Sequence, residues 1–334
     1  MLKVNISLST SNDKFHSSNI VYFNSDSCNA YDSLSHFYKK ITAYPFQFIV
    51  NSFLLLSGHR QKQMSEKKDQ KIIVLLSFND SDKTLILNGI KISTIFRKEL
   101  CLVYNGTKKE KKNHERFKVK LIDYIQPIKK ELPGLKLSTL LLWESKTELP
   151  AKLADDYEAI FVIAKASEYS KYSTAVTESV IPFLFTNENC TTVPAYKKLI
   201  LPIDMRKQSS ESALWGSYFG RFNNSELIVI AANDKGRESE QEVTKSIILS
   251  KKLFKKFKIN HKVFKGTKSS LRNAFEALEY ALSSECDLLV LLGSSTITPI
   301  DLLIGLPERK IIKKAGDLPV LVINPRRDNY MLCD

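Results

Sequence analysis

Short unbroken apolar runs alternate with amphipathic helical patterns along most of this chain. In its C-terminal part the runs lie near residues 199–203, 227–231, 288–292 and 320–323, and a further, more polar strand is expected near 261–265. Helical patterns fill 210–221, 238–257, 270–284 and about 307–314. Strands that lack an in/out alternation are buried on both faces, so this order predicts a parallel sheet covered by helices on either side. Sheets of that kind take ligands beyond the carboxyl ends of their strands, where the strand order reverses.

The pattern occurs twice, at an offset of 127 residues. Lys71-Ile72-Ile73-Val74-Leu75-Leu76-Ser77 lies over Lys198-Leu199-Ile200-Leu201-Pro202-Ile203-Asp204, and Glu99-Leu100-Cys101-Leu102-Val103-Tyr104 lies over Glu226-Leu227-Ile228-Val229-Ile230-Ala231. Two strands and the helix between them align without a gap, the mark of an internal duplication. A later apolar run, 159–164, matches 288–293, and each copy closes on a Pro-led strand at Pro182 or Pro319. Ala164 stands 18 residues before Pro182, whereas Gly293 stands 26 before Pro319. The first copy is therefore shorter by eight residues in one connection, and it has Ala164 where the second has Gly293 and Ser77 where the second has Asp204.

With 334 residues, 43% hydrophobic and 10% aromatic, the chain can bury the cores of two domains. The expected division is an extension over 1–63, a first repeat over 64–190 and a second over 191–334. The extension is rich in Ser, Asn and aromatics and has no clear period; Met64 and a short polar leader stand directly ahead of the first repeat strand, so the natural start is expected at Met64 or 1–63 is expected to be poorly ordered. Residues 45–56 are the one stretch that suggests a membrane, but Gln47, Asn51 and Ser52 interrupt it and it is shorter than the about 20 apolar residues a span needs. Neither a span nor a signal peptide is expected.

Cys28, Cys101, Cys190, Cys286 and Cys333 are odd in number and widely spread, as reduced thiols of a cytoplasmic protein would be. The five histidines have no metal-ligand spacing. The net charge of +14, of which 1–63 contributes +3, comes mostly from lysines on helix faces. In 251–258 these point away from a stripe of Val243, Ile247, Phe254 and Phe257, the pattern of a solvated face. Weak, salt-sensitive attraction to polyanions is expected, with no specific nucleic-acid partner.

Three features together resemble the universal stress proteins: Lys-Leu-Ile-Leu-Pro-Ile-Asp at the first strand of the second copy, Asp287-Leu288-Leu289-Val290-Leu291-Leu292-Gly293-Ser294 at its fourth, and Gly305 ahead of Leu318-Pro319-Val320-Leu321-Val322. The resemblance covers the second copy and, more weakly, the first. It implies an α/β chain of two tandem doubly wound, Rossmann-like domains of the adenine-nucleotide alpha-hydrolase type, each with strand order 3-2-1-4-5. Asp204 and Gly293 would then face one crevice. It also implies that the copies pair internally, through their last strands, as single-domain relatives do by dimerising, with a further homodimer possible.

Family members that bind ATP carry Gly, two residues, Gly, nine residues, then Gly and a hydroxyl residue, which together offer unobstructed N–H groups to phosphate oxygens. This chain departs from that pattern: Thr296 replaces the second Gly, the spacer before Gly305 is one residue short, and Leu306 and Pro307 follow where a hydroxyl and an N–H are wanted. What the resemblance retains for an adenine nucleotide, ATP or AMP, is Pro202, Asp204, Ala232, Gly293, Ser294, Ser295, Thr296 and Gly305, with hydroxyls in place of lost amides. Read without the resemblance, Asp204 is also a turn or cap residue, Ala232 a small strand-end residue, and the Ser/Thr run a helix cap.

No Gly-x-Gly-x-x-Gly, phosphate loop or Gly-x-Ser-x-Gly elbow is present. The reading is thus a non-catalytic regulatory or binding module of the stress response, cytoplasmic, with a degenerate nucleotide pocket in the second copy, no required cofactor, and a first copy that serves as a structural partner. The alternative is an ATP-binding switch or slow ATPase that uses the second crevice.

Overall fold

Ten strands join into one sheet in the order β3-β2-β1-β4-β5-β10-β9-β6-β7-β8. The computed structural model describes residues 69–294 and 306–324. The expectations for 1–63, for 45–56 and for Ser295, Thr296 and Gly305 lie outside these residues. The first half contributes β1 (Lys71–Leu75), β2 (Glu99–Asn105), β3 (Leu137–Leu142), β4 (Ala159–Lys165) and β5 (Phe183–Thr186), and the second β6 (Lys198–Ile203), β7 (Glu226–Ala231), β8 (His261–Lys265), β9 (Leu288–Leu292) and β10 (Val320–Ile323). Counted from its own first strand, each half has the order 3-2-1-4-5.

Within a half every neighbouring pair is parallel. The exception joins the halves: β10 runs antiparallel to β5, with Val320 opposite Phe185, Leu321 opposite Leu184 and Val322 opposite Phe183. Two equivalent parallel strands can meet edge to edge across a two-fold axis only in this antiparallel sense. The Pro-led last strands thus pair as expected and leave no sheet edge at the centre of the molecule.

Helices α1 (Asp82–Phe96), α2 (His114–Glu131), α5 (Glu211–Asn223) and α6 (Arg237–Lys256) cover one face, and α3 (Leu149–Tyr157), α4 (Tyr169–Glu178), α7 (Ser270–Ser283) and α8 (Pro307–Lys314) the other. Each face carries a core that runs across both halves. On the first, Phe96 of α1 meets Phe219 of α5 edge-on with ring centroids 4.9 Å apart, and the buried Tyr196 hydroxyl donates to Asn88. On the α6 stripe Val243 and Phe254 are buried, and the lysines at 251, 252, 255 and 256 are exposed. No helix among the described residues is long and apolar enough to cross a membrane. Cys101, Cys190 and Cys286 are free thiols, and burial pushes Cys101 up to about 12 and Cys286 up to about 11.

Backbone details repeat with the sequence. Arg97 closes α1 at φ 54° and Asn224, its counterpart, closes α5 at φ 53°. Gly89 in α1 and Gly216 in α5 lie against Val74 and Leu201, which are themselves counterparts, and a Cβ at Gly89 would stand 2.4 Å from Val74 Cγ2 and 2.9 Å from Leu100 Cδ1. The helix lies that close to the strand only because the residue has no side chain. Gly89→Ala is therefore expected to destabilise the protein by about 1–3 kcal/mol despite the better helix propensity of Ala. Urea unfolding measures it, and adding Val74→Ala should return part of the loss.

Candidate functional site

The helices that follow strands one and four of each half pack on opposite faces, so among the described residues the carboxyl ends of β1 and β4, and of β6 and β9, border a crevice. In the second half Asp204 follows β6 and is buried. Arg206, two residues on, turns back onto it: Nε lies 3.0 Å from Oδ1 and 2.9 Å from Oδ2, and Nη2 lies 2.6 Å from Oδ2. Nη1 crosses the crevice to the carbonyl oxygen of Gly293 at 3.1 Å. The guanidinium thus bridges the ends of β6 and β9, in a two-pronged pair of the strong kind.

The first half closes the same gap with the residue types exchanged. Ser77 and Asp82 occupy the positions of Asp204 and Ser209. In one copy the Ser77 N–H donates to the Asp82 carboxylate at 3.0 and 3.1 Å, and in the other the Asp204 N–H donates to Ser209 Oγ at 2.9 Å. Asp82 also accepts the N–H of Phe78 at 2.6 Å, and Lys165, the last residue of β4, sits 3.0 Å from its Oδ1. Lys165 Nζ donates further to Asn79 Oδ1 at 2.7 Å and Ser81 Oγ at 2.8 Å. The cation comes from strand four here and from the strand-one loop in the second half.

The halves also differ in access. Lys165 and Asp82 are 4% and 0% exposed, whereas Arg206 is 41% exposed over an Asp204 at 10%. Pro202 contributes to the opening. Its counterpart is Leu75, and having no N–H it cannot extend a ladder toward β9. The β6–β9 register stops at Ile200 opposite Leu289, whereas β1–β4 pairing continues through Val74 opposite Ile163.

On the far side of Asp204 several polar groups are already engaged, while the buried Oδ1 of Asn273 accepts no hydrogen bond among the described residues. The Ala232 N–H donates to the Ile203 carbonyl at 2.9 Å, and the Asn273 amide of α7 donates to the carbonyls of Ile203 and Ile230 at 2.9 and 3.1 Å. Ser270 gives its N–H and hydroxyl to Asp234 and receives the Met205 N–H at 2.8 Å. Of the residues named from sequence, the structure therefore gathers Pro202, Asp204, Ala232, Gly293 and Ser294 around one crevice.

No protein-family model and no curated protein matches the sequence. Among solved structures, a universal stress protein from Archaeoglobus fulgidus DSM 4304 superposes with a TM-score of 0.58 at 12% identity, over 78% of this chain and 98% of its own. A protein of unknown function from Pseudomonas aeruginosa PAO1 gives 0.52 at 13% identity, over 77% and 92%. One provisionally described as a universal stress protein, from P. aeruginosa UCBPP-PA14, gives 0.52 at 13%, over 76% and 93%. Shares of that size take in both halves of this chain. It has the universal stress protein fold.

Within that fold, Gly293 is held by close approach: its N–H donates to the Ile323 carbonyl at 2.7 Å, and a Cβ there would lie 2.8 Å from Asn324 Oδ1 and 2.9 Å from Val322 Cγ1. Ser294, next in line, gives its N–H at 2.6 Å and its hydroxyl at 2.8 Å to Glu308 in the first turn of α8. Glu308 is buried, and among the described residues its second oxygen accepts no hydrogen bond. Burial, and then the charge of Glu308, push the Tyr169 phenol up. A carboxylate thus occupies the N–H and the hydroxyl of Ser294, donors that an anion at the end of β9 would use.

Asp82, Lys165, Arg206, Ser209 and Glu308 were not among the residues expected from sequence. The repeat alignment carries a signal for Asp82 and Ser209, because Ser77/Asp82 and Asp204/Ser209 are the same two residue types in exchanged order. Lys165→Met should leave the buried Asp82 charge unpaired and cost about 3–5 kcal/mol. Arg206→Met, at a far more exposed pair, should cost about 1 kcal/mol or less. Equal losses in urea unfolding would contradict this difference between the crevices.

Proposed function

We propose that the chain is a tandem universal stress protein that works as a non-catalytic binding or regulatory module of the stress response, in the cytoplasm, without bound nucleotide. The supporting observation is that its own side chains fill both switch-point crevices: Asp82 with Lys165 in the first half, Asp204 with Arg206 in the second. Glu308 supports the same reading, since a buried carboxylate on the Ser294 N–H and hydroxyl repels a phosphate from those donors. In this reading the first half is a structural partner, and the antiparallel β5–β10 pair supplies internally what a dimer of single domains would supply between chains.

Calorimetric titration of the protein with ATP and AMP, with Asp204→Ala as control, separates this reading from an ATP-binding switch or slow ATPase. No heat of binding is expected up to about 1 mM nucleotide, where ΔG would be only about −4 kcal/mol. Micromolar binding that disappears in Asp204→Ala would overturn it in favour of the switch.

A further inference from the structure

We infer that the outer edge of β3 is a docking strand for a second copy of this chain, which adds its own β3 antiparallel to it across a two-fold axis. The inference is independent of the crevices and goes beyond the function just proposed. Among the described residues the sheet ends on β3 at one side and on β8 at the other, the third strands of the two halves. The strand β8, His261-Lys262-Val263-Phe264-Lys265, carries two lysines, the usual guard of an edge against strand addition. The strand β3, Leu137-Ser138-Thr139-Leu140-Leu141-Leu142, has no charge, no proline and no bulge, and of its residues Leu142 alone is buried. An unguarded apolar edge is a template for another strand.

Backbone geometry and charge together select the register. The Leu100 N–H donates to the Lys136 carbonyl and the Gly106 N–H to the Leu142 carbonyl, each at 2.9 Å, so the even-numbered residues of β3 turn their backbone groups toward β2. Those of Leu137, Thr139 and Leu141 therefore point outward. When two copies of this edge pair about a two-fold axis, outward groups meet only if the axis passes through a residue. With the axis at Leu140, Thr139 exchanges hydrogen bonds with the partner's Leu141, and Lys136 stands opposite the partner's Glu144. An axis at Leu141 would instead set Lys136 opposite the partner's Lys146. Opposite charges at the two ends of the strand thus favour the antiparallel pair centred on Leu140. Lys136 is accessible for it, 67% exposed even beside Asp69. The same placement brings a second α2 alongside the first, and α2, which packs against β3, carries Val119 and Ile122, 55% and 39% exposed.

Sedimentation of the full chain at concentrations up to about 0.1 mM should show a reversible dimer. Thr139→Pro removes one outward N–H from each copy and none from the ladder with β2, so it should weaken association by at least about tenfold, with thermal unfolding to establish that the variant is folded. Lys136→Glu should weaken association about threefold or more, and adding Glu144→Lys should restore it. A chain that stays monomeric throughout that range would overturn the inference, and protection of the Thr139 amide from hydrogen exchange in such a monomer would give the edge to another part of the same chain. A dimer indifferent to Thr139→Pro, or a loss in Lys136→Glu that Glu144→Lys does not restore, would put the contact on another surface and overturn it as well.

Discussion

A doubly wound sheet cannot cover the carboxyl ends of its strands one and four, because the chain leaves them toward opposite faces. The carbonyl ends there must be met by a ligand, by water or by side chains. In this protein each half meets them with one carboxylate and one cation that tie the strand ends together. The solutions are related by an exchange: the acid moves from the strand end in the second half to the helix start in the first, the hydroxyl moves the other way, and the cation changes strand. A backbone N–H at the strand end donates to position 82 or 209 in both, so the loop geometry survives the exchange.

The second constraint is the join. Pairing β5 with β10 makes both cores continuous across the molecule, and polar contacts reinforce the seam: the Asn324 amide donates to the carbonyls of Val176 and Ser179, and Asn187 donates to Asp317 at 2.6 Å. Gly293 belongs to this region as much as to the crevice, since its missing Cβ is what admits Asn324. A change at the strand-four end of the second half is therefore felt at the seam between the halves.

The fold was legible in the sequence because its signals are local and doubled. Unbroken apolar runs gave the strands and the 127-residue offset gave the repeat, while the pair of last strands at the centre was implied by the resemblance to the universal stress proteins. The crevice was only half legible. Asp204 stands where the repeat predicts, but the strand registers, Ile73 opposite Val162 and Ile200 opposite Leu289, make Ala166 rather than Ala164 the counterpart of Gly293; a position-by-position comparison also reads Ser77 as a lost acid, when Asp82 has returned a carboxylate to the same place from the next helix turn. Arg206 and Glu308 read as ordinary loop and first-turn charges, since Arg206 acts by reaching a strand end 87 residues away and Glu308 by folding back onto Ser294, 14 residues before it.

The most direct measurement of this account is the Nε–H resonance of Arg206 in nitrogen-15-labelled protein, assigned by comparison with Arg206→Lys. If the guanidinium bridges Asp204 and Gly293, that resonance is shifted from free arginine and slow to exchange with water, and it reverts to the free position in Asp204→Asn. A resonance that exchanges like free arginine in the unaltered protein, and ignores Asp204→Asn, would contradict the claim that the second crevice is filled from within.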